Sequence, residues 1–578
     1  MGTSGRSPRF IERRIAVSGW LSGALFCSAL LTVAGANERT TPSSVPSNRT
    51  PYIPPACYAK TQTRSGATRN PCYVCHTQGL GPNFTHDEDL QLRYDFASQS
   101  ETGTPNPWAN LTRDFSAIAK EFEAADLLAY VRTNNYQSSP AQLLLTQRLR
   151  ASLSEAWDPN HNGKWDGYVP DSYFHFDAQG FDNAPDGTLT GWRTFAYTPF
   201  PGGFWPTNGS FGDAQIRLPR DFQVSRNGNL DRETYVINLA IVEALITRAN
   251  VEIPETNELQ YGVDLDQDGK LGQASLIAYR WPPQAHRKMS YVGAARTREL
   301  PLAAGLFPIG TEFLHSLRYL DPQGDGQVRA AARMKELRYS RKTTWQTYAQ
   351  LEANALREEH ERAHSPAKLK RILGNIEAGL SNGQGWIYQG FIEDRVGALR
   401  PQSFEETASC IGCHGGIGAS TDSTFSFPRK LGRGAFAHGY YSTAERGFDG
   451  VPEPKRADGR YEYSLYLEET RTGDDFGTNP EIAARFFDTA GDLKPTSVKE
   501  LHTNIALLLL PSESRAKQLN ALYRALVETQ TFTQGREPLS STSALVHATL
   551  APEQATGIST PVPARWITTS TRGTPKAH

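Results

Sequence analysis

The sequence predicts a mainly α-helical, multi-domain protein with irregular loops and short β insertions. Apolar residues recur at helical spacing over 110–135 and 139–156, and again over 231–249. Glycine, proline, aspartate, asparagine and aromatic residues crowd 157–228, a composition that favours short strands and ordered loops. The 578 residues are enough for several domains of ordinary size.

The N-terminus is predicted to be a cleaved export signal over residues 1–36. Basic residues precede an apolar stretch from Ile15 to Val33, and small residues follow it at 34–36. An uncleaved membrane anchor is the alternative, although serines and glycines interrupt the apolar stretch. Cys27 lies inside the signal without the small residues that precede a lipid-modified cysteine, so we exclude it from the mature chain. We expect a bacterial protein in the periplasm, or one secreted to the cell surface.

Two copies of Cys-x-x-Cys-His are the strongest chemical signal in the chain. This spacing is the attachment sequence of c-type haem, in which both thiols bond to haem vinyl groups. The adjacent histidine then binds the iron from the proximal side. The sequence therefore predicts two covalently bound haem c groups. The residues concerned are Cys72, Cys75, His76, Cys410, Cys413 and His414.

Other uses of paired cysteines remain as alternatives. Two Cys-x-x-Cys pairs can form a zinc site, and one pair can form a redox dithiol. Neither requires a histidine directly after each pair, whereas haem attachment does. Cys57 is the one further cysteine of the predicted mature chain. It is interpreted as an inert buried thiol, with a role near the first haem, or a bond to a partner, as the alternatives.

The second iron ligand decides between electron transfer and catalysis. Two strong protein ligands exclude substrate, whereas an open position admits peroxide or oxygen. His315, in a segment predicted to be helical, and Met334, at a predicted helix start, are the main candidates for this distal position. His86 and His438 are further candidates, and each of these side chains has a structural role as its alternative.

Three acidic turns resemble the start of an EF-hand calcium loop. Oxygen donors at alternate positions converge on one ion, and a glycine permits the sharp turn. The first two turns begin at Asp158 and Asp264, and the third turn spans 321–326. None of the three has a glutamate at the twelfth position, so turns without an ion are the alternative. Any bound calcium is expected to be structural. The candidate ligands are Asp264, Asp266, Asp268, Asp158, Asn160 and Asn162.

Composition and motif positions divide the chain into six predicted segments. The two haem regions are separated by the insertion that contains the acidic turns at 158 and 264. Helices are predicted in particular over 329–363, 367–380 and the stretch from 480 to 530. The segments are a signal peptide (1–36), a flexible N-terminus (37–55), the first haem region (56–156), a loop- and short-strand-rich insertion (157–310), a helical second haem region (311–550) and a loosely ordered tail (551–578).

On its two motifs the chain is identified as a c-type cytochrome. The stretches 310–342 and 410–430 resemble large exported bacterial di-haem cytochromes, for which this resemblance implies no established substrate. The chain is more distantly similar to the di-haem cytochrome c peroxidase group. It departs from that group because its motifs stand 338 residues apart and the sequences that usually follow the second motif are absent. Because haem is commonly enclosed by packed helices, the resemblance also favours a helical fold.

The charge balance excludes a strongly basic partner-binding surface. The formal net charge is −1, and removal of the leader with its four arginines and one glutamate makes it −4. A nucleic-acid binder would normally show a basic surplus. No second apolar stretch is long enough to span a membrane after signal cleavage.

The sequence leaves two main functions open. The first is a carrier that passes single electrons between redox partner proteins or to an extracellular acceptor. The second is an oxidoreductase that uses peroxide, oxygen or a small substrate at one haem with an open position. A haem-based sensor is a third alternative. The missing peroxidase sequences favour the carrier, whereas the large part of the chain outside the motifs favours the enzyme.

Overall fold

A computed structural model describes residues 48–565, apart from 63–67, 70, 96–101, 123, 152–153, 283–287, 366–371, 433 and 540–543. The predicted signal peptide, Cys27 and most of the predicted flexible segment 37–55 lie outside the described residues. The described residues form one compact unit.

A nine-stranded antiparallel sheet is the central element of the described chain. In space the strands run in the order β6-β7-β8-β5-β4-β3-β2-β1, and β9 pairs with β8. The strands are β1 (Phe181–Asn183), β2 (Leu189–Phe195), β3 (Ala214–Arg217), β4 (Glu312–Pro322), β5 (Val328–Lys342), β6 (Leu373–Asn375), β7 (Gly379–Ser381), β8 (Trp386–Glu393) and β9 (Leu399–Pro401).

The long hairpin of β4 and β5 organises both faces of this sheet. His315 on β4 stands opposite Arg338 on β5, which in turn stands opposite Gly390 on β8. Because side chains alternate along a strand, the neighbouring residues Leu314 and Leu337 point to the other face. There they join a buried apolar cluster. The apolar cluster thus occupies one face of the sheet, and the polar side chains of His315 and Arg338 lie on the other face.

Fifteen α-helices are described, and most of them are short. They are α1 (Ser116–Ala119), α2 (Ala124–Arg132), α3 (Leu144–Arg150), α4 (Arg232–Thr247), α5 (Glu258–Tyr261), α6 (Gly293–Thr297), α7 (Tyr348–His364), α8 (Phe404–His414), α9 (Ser426–Arg429), α10 (Thr443–Arg446), α11 (Glu462–Thr470), α12 (Pro480–Phe486), α13 (Pro495–Leu501), α14 (Ala506–Leu509) and α15 (Glu513–Thr529).

Four two-stranded pairs complete the described β-structure, and several short 3₁₀ helices lie between the other elements. Three of the pairs are local hairpins, whereas the fourth joins a strand near the first motif to one near the C-terminal end. The pairs are Thr61–Gln62 with Thr68–Arg69, Gln137–Ser139 with Gln142–Leu143, Val251–Asn257 with Gln273–Ile277, and Thr104–Pro105 with Thr549–Leu550.

Several predicted helices are present. The helix predicted over 231–249 is α4, and the Asp231 side chain caps it by accepting from the Glu233 and Thr234 amides. The stretch from 480 to 530 contains α12 to α15. Nearly every residue of α4 is buried, and this helix lies in the largest apolar cluster.

The predicted mainly helical, multi-domain fold class is nevertheless wrong. Helices account for 32% of residues and strands for 21%, in several sheets. Residues 328–342, predicted as the start of a long helix, form β5, and His315 lies on β4 rather than on a helix. The β5 sequence is rich in Arg, Ala and Lys, which favour a helix in isolation. Pairing with two neighbours overrides that propensity in a central strand.

A buried ion pair ties the sheet to the loop that follows α8. Lys342, the last residue of β5, pairs with Asp422, and both side chains are almost fully buried. The Asp422 carboxylate also accepts a hydrogen bond from the Phe307 amide at 2.8 Å. Removing one member of a buried pair leaves the other charge without compensation.

We therefore expect Lys342→Met to lower the free energy of unfolding by about 3–5 kcal/mol. Urea denaturation followed by circular dichroism measures this change. Arg341→Met is the matched control, because Arg341 is the adjacent residue of β5 and is exposed. Equal shifts in the two variants would contradict the structural role given to Lys342.

Candidate functional site

The first Cys-x-x-Cys-His motif lies on a tight turn. Residues Cys72–Val74 form a single 3₁₀ turn that follows Pro71. The amides of Cys75 and His76 both donate to the Cys72 carbonyl, at 3.1 and 2.8 Å. The turn therefore gathers two thiols and an imidazole on a short stretch of backbone.

A buried carboxylate orients His76. Nδ1 of His76 lies 2.8 Å from Oδ2 of Asp87, while Asp87 Oδ1 accepts from the Thr77 amide at 2.9 Å. Burial lowers the pKa of His76, but the charge and hydrogen bond of Asp87 outweigh burial and raise this pKa to about 10. With Nδ1 held by a carboxylate, Nε2 is the ring nitrogen suited to bind a metal.

The second motif ends helix α8. The helix begins with a capping box, in which Ser403 accepts from the Glu406 amide and Glu406 returns a hydrogen bond to the Ser403 amide. Cys410 and Cys413, three residues apart, share one helix face, and His414 is the last residue of the helix.

His414 is oriented in the same way as His76. Its Nδ1 lies 2.8 Å from the Ser423 carbonyl oxygen, so this nitrogen carries the proton and Nε2 remains for a metal. Its ring packs between those of Tyr388 and Phe425, with centroids at 5.0 and 5.3 Å. Burial lowers the pKa of His414 to about 4, so the imidazole is neutral at pH 7.

The two motifs are in direct contact despite their separation in sequence. The Ala419 amide donates to the Cys75 carbonyl at 3.1 Å, and the Gly418 amide donates to the Asp87 carboxylate at 3.2 Å. A Cβ atom on Gly418 would lie 1.8 Å from the Thr77 carbonyl oxygen, so only glycine allows this approach. The chain therefore builds one composite site from two distant segments.

The four motif cysteines are only partly buried as residues, but the protein surrounds their thiols closely enough to affect their pKa values. Burial raises the pKa values of Cys72 and Cys75 well above their usual range, and raises that of Cys413 to about 12. All four motif cysteines nevertheless retain accessible surface. A reactive dithiol needs a lowered thiol pKa, so these shifts argue against that alternative.

A small cavity of about 20 Å³ adjoins the first motif. Tyr73, Val74 and Thr77 line it from the first motif, and Phe425 lines it from the segment after the second. This volume is close to that of one water molecule. The described lining residues include no motif cysteine.

Three arginines and one glutamate surround the same cavity. Arg429, Arg456 and Arg565 line it, and Glu462 is the one carboxylate among its described lining residues. Arg429 pairs with Glu462 at 3.2 Å, while Nε of the 7%-exposed Arg456 is enclosed with no hydrogen-bond partner in the described chain. A surplus of two guanidinium groups fits a ligand with two carboxylates, such as the propionates of haem.

His315 is the sequence-predicted distal candidate that the fold brings to this interior. Its Nε2 lies 3.0 Å from the Tyr197 hydroxyl, and Arg338 stands opposite it in the sheet. Burial lowers the pKa of His315 to about 3, with smaller contributions from Arg338 and His414. His315 is therefore a neutral imidazole in the same region as His414.

The other distal candidates lie elsewhere. Met334 is fully buried in the apolar cluster of Leu314 and Leu337, on the opposite face of the sheet from His315. His86 and His438 are exposed, and His86 Nδ1 accepts from the Gly79 amide at 3.2 Å.

Cys57 lies beside the first motif. Its side chain hydrogen-bonds with His76, and it packs with Cys72 against an apolar cluster. The segment before it also touches the second motif, because a Cβ on Gly412 would lie 2.2 Å from the Tyr52 carbonyl oxygen. The thiol is therefore part of the composite site.

The motif residues do not form a compact metal cage. Ligand atoms around a tetrahedral zinc ion lie about 4 Å apart. Within the described ranges, the group of three or more His, Cys, Asp or Glu side chains with ligand atoms inside 4.8 Å is Glu258, Asp264 and Asp266. The motif thiols and imidazoles of the described chain are not in such a group, which argues against a preformed zinc cage.

The acidic turns are loops separate from the motifs. Asp158, Asn160 and Asn162 belong to one loop, in which both asparagine amides donate to Asp166. Asp264 and Asp266 belong to the cluster just described, while Asp268 Oδ1 accepts from the Lys270 amide at 2.7 Å.

Several site residues carry no motif that sequence reasoning could use. Asp87 stands eleven residues after His76 in an unremarkable loop. Tyr197, Arg338 and Arg456 come from three other segments and meet only through the fold. The feature that marks these residues as part of a site is that they are polar or charged and yet buried. Their burial cannot be known from the sequence.

Comparison with known proteins identifies a family. A sequence profile of a lipoprotein family matches residues 41–504. An uncharacterised lipoprotein of Aquifex aeolicus (strain VF5) is 30% identical over 541 residues, which cover 85% of this chain and 86% of the relative. No solved structure matches the chain.

These matches overturn the family assigned from the sequence. Membership of the c-type di-haem cytochromes, and the more distant similarity to the di-haem cytochrome c peroxidase group, are wrong, because the matched family and relative are lipoproteins. None of the described helices is both long and apolar enough to cross a membrane. The match places the protein among exported, membrane-anchored or surface proteins. The chain belongs to this lipoprotein family.

Proposed function

We propose that this exported protein carries single electrons through two covalently attached haem c groups. The observation that carries the proposal is the meeting of two Cys-x-x-Cys-His motifs in one interior, with Nδ1 of each histidine held by an acceptor. The attachment residues are Cys72, Cys75, His76, Cys410, Cys413 and His414.

The thiols suit covalent attachment because they are protonated and enclosed. Each S–H would add across one vinyl group, so that sulfur bonds to one vinyl carbon and the hydrogen passes to the other. Bonds and electrons balance in this addition, and no external oxidant is needed. The high pKa values of the buried thiols favour the protonated form before attachment.

The imidazoles suit axial binding for a related reason. A hydrogen bond from Nδ1 fixes the tautomer and the ring plane, and it makes Nε2 a better donor. Asp87 gives His76 a charged acceptor, whereas the Ser423 carbonyl gives His414 a neutral one. When bound, each haem would supply a one-electron ferrous/ferric couple, and the contact between the motifs supports exchange between the two couples. The unequal acceptors would then set different potentials at the two sites.

The proposed function also implies a location and a class of partner. A periplasmic or secreted protein of this kind would exchange electrons with redox partner proteins or with an extracellular acceptor. The near-neutral charge of the chain gives no strong steering toward a charged partner.

A di-haem oxidoreductase is the second candidate, and one observation favours it. His315, Tyr197 and Arg338 place an acid–base pair and a fixed positive charge in the region of His414. If His315 does not bind the iron, this polar group could instead act on a bound peroxide or oxygen molecule.

The attachment residues can be tested one motif at a time. We expect the secreted protein to have the mass of the polypeptide plus two haem groups. The double variants Cys72→Ala/Cys75→Ala and Cys410→Ala/Cys413→Ala should each lose one group, because the thioether bonds hold it. Mass spectrometry and the haem absorption spectrum measure this loss. Cys57→Ser is the matched control and should retain both groups; an apoprotein mass for the unmodified protein would refute the proposal.

The role of Asp87 predicts a change in potential. Asp87→Asn replaces a charged acceptor by a neutral one, so Nε2 of His76 should donate less electron density. We expect the reduction potential of the first haem to rise while that of the second stays unchanged, as measured by spectroelectrochemical titration. Equal shifts at both haems would contradict this local role.

His315 distinguishes the two candidate functions. A carrier with His315 as a distal ligand should give low-spin electron paramagnetic resonance signals that peroxide does not change. His315→Ala should then produce a high-spin signal from one haem, because one axial position becomes open. Met334→Leu, on the other face of the sheet, is the control and should leave the spectrum unaltered. A high-spin signal in the unmodified protein that responds to peroxide would favour the oxidoreductase.

A further inference from the structure

Three turns in the described chain share one backbone geometry. Their fourth and sixth residues, counted from an aspartate, have φ values in the left-handed region. In the first loop these are His161 (57°) and Gly163 (77°), and in the second they are Gln267 (57°) and Gly269 (95°). In the third turn, between β4 and β5, both positions are glycines.

The third turn satisfies its charge from within the protein. Asp321, its first residue, pairs with Arg132 at 2.9 Å. The Glu513 carboxylate accepts from the Gly324 and Gly326 amides at 2.6 and 2.9 Å. A guanidinium group therefore supplies the positive charge, and this turn needs no ion.

The first loop instead meets a buried carboxylate from a distant segment. Glu377 is 4% exposed, and its Oε1 accepts from the Asp166 amide at 3.0 Å. Its Oε2 is enclosed and has no hydrogen-bond partner among the described residues. Burial raises the pKa of Glu377, and the carboxylates of Asp166 and Asp158 add to this rise.

No cationic side chain in the described ranges forms an ion pair with this group, and Lys164 of the same loop exerts only the smallest of the effects on the pKa of Asp166. Asp158, Asp166 and Glu377 form no ion pair within the described chain, in contrast to Asp321 in the third turn. The Asp158 oxygens accept from backbone amides of the loop at 2.8 and 3.0 Å, which fixes the carboxylate while leaving lone pairs available. Asp166 accepts from the Asn160 and Asn162 amides, whereas Glu377 Oε2 remains a buried carboxylate oxygen that a cation could satisfy.

The second loop also meets a buried glutamate, and here the carboxylates lie closer together. Glu258, in helix α5, is 1% exposed, and one oxygen from each of Glu258, Asp264 and Asp266 lies within 4.8 Å of the others. Glu258 Oε2 accepts from the Gly272 amide at 2.8 Å, which holds it against the loop. Asp264 Oδ1 and Gln267 Oε1 are both enclosed and have no hydrogen-bond partner among the described residues. The Gln267 residue as a whole is only 3% exposed.

We propose that these two loops bind Ca²⁺, with Glu377 and Glu258 taking the place of the glutamate that an EF-hand carries at its twelfth position. The donors are carboxylate and amide oxygens, the set that Ca²⁺ prefers. Several converging protein oxygens favour Ca²⁺ over Mg²⁺, which keeps most of its water. Each ion would fix an irregular loop to a buried acid from another segment, and this function is independent of haem.

Calorimetric titration of the EDTA-treated full-length mature protein with CaCl₂ tests the proposal. We expect two sites per chain, and one site in each of the variants Glu377→Gln and Glu258→Gln. Glu513→Gln is the matched control, because it alters the corresponding acid of the Arg132-neutralised turn, and it should retain two sites. Trp165 lies within the first loop, so Tb³⁺ bound there should emit on tryptophan excitation, and this emission should be lost in Glu377→Gln alone.

The two glutamate variants test the two loops separately. Unchanged stoichiometry in Glu377→Gln or in Glu258→Gln would overturn the assignment of that loop. Absence of Ca²⁺ heat together with absence of Tb³⁺ emission would overturn both. Circular dichroism of each variant separates loss of a site from loss of fold. Because haem content is measured separately by absorbance, failure here leaves the electron-carrier proposal unaffected.

Discussion

The carboxylate of Asp87 is the constraint on which the composite site depends. It is 5% exposed and holds His76 through Oδ2, the Thr77 amide through Oδ1 and, from the other motif, the Gly418 amide. One side chain thus sets the imidazole orientation at the first motif and the position of the loop after the second. The glycine at 418 is part of the same constraint, because any side chain there would separate the two segments. Burial strengthens each of these interactions by lowering the local dielectric constant.

The sheet provides the rigid reference for this arrangement. Its β4–β5 hairpin presents His315 and Arg338 on the face of the polar interior, while the opposite face is sealed by apolar residues. Lys342, at the end of β5, holds Asp422 in the loop that follows α8. The next residue, Ser423, supplies the carbonyl that orients His414. The Lys342–Asp422 ion pair and the Ser423–His414 hydrogen bond therefore connect the sheet to the second imidazole.

The sequence identified residues that the fold brings near one another, although the fold class predicted from it was wrong. Cysteine and histidine at fixed spacing can be read without coordinates, and so can a helix such as α4 with Asp231 at its start. Strand β5 could not be predicted in this way, because its Arg-, Ala- and Lys-rich sequence favours a helix until two neighbouring strands pair with it. Asp87, Arg456 and Glu377 were missed for another reason. Their roles arise from burial beside residues hundreds of positions away or beside a loop from another segment, and local pattern carries no information on such contacts.

The C-terminal end of the described chain bears on the order of events during biosynthesis. The Val562 amide donates to the side chain of Gln91, which itself donates to the His76 carbonyl, and Arg565 lines the cavity beside the first motif. Residues beside the first motif are thus contacted by residues that lie 471 positions later in the chain. While the polypeptide is still being synthesised, Gln91 and the first motif lack these contacts. Contacts of such long range also form slowly. The topology therefore leaves an interval in which the first motif is less enclosed, and that interval ends when residues 562–565 dock.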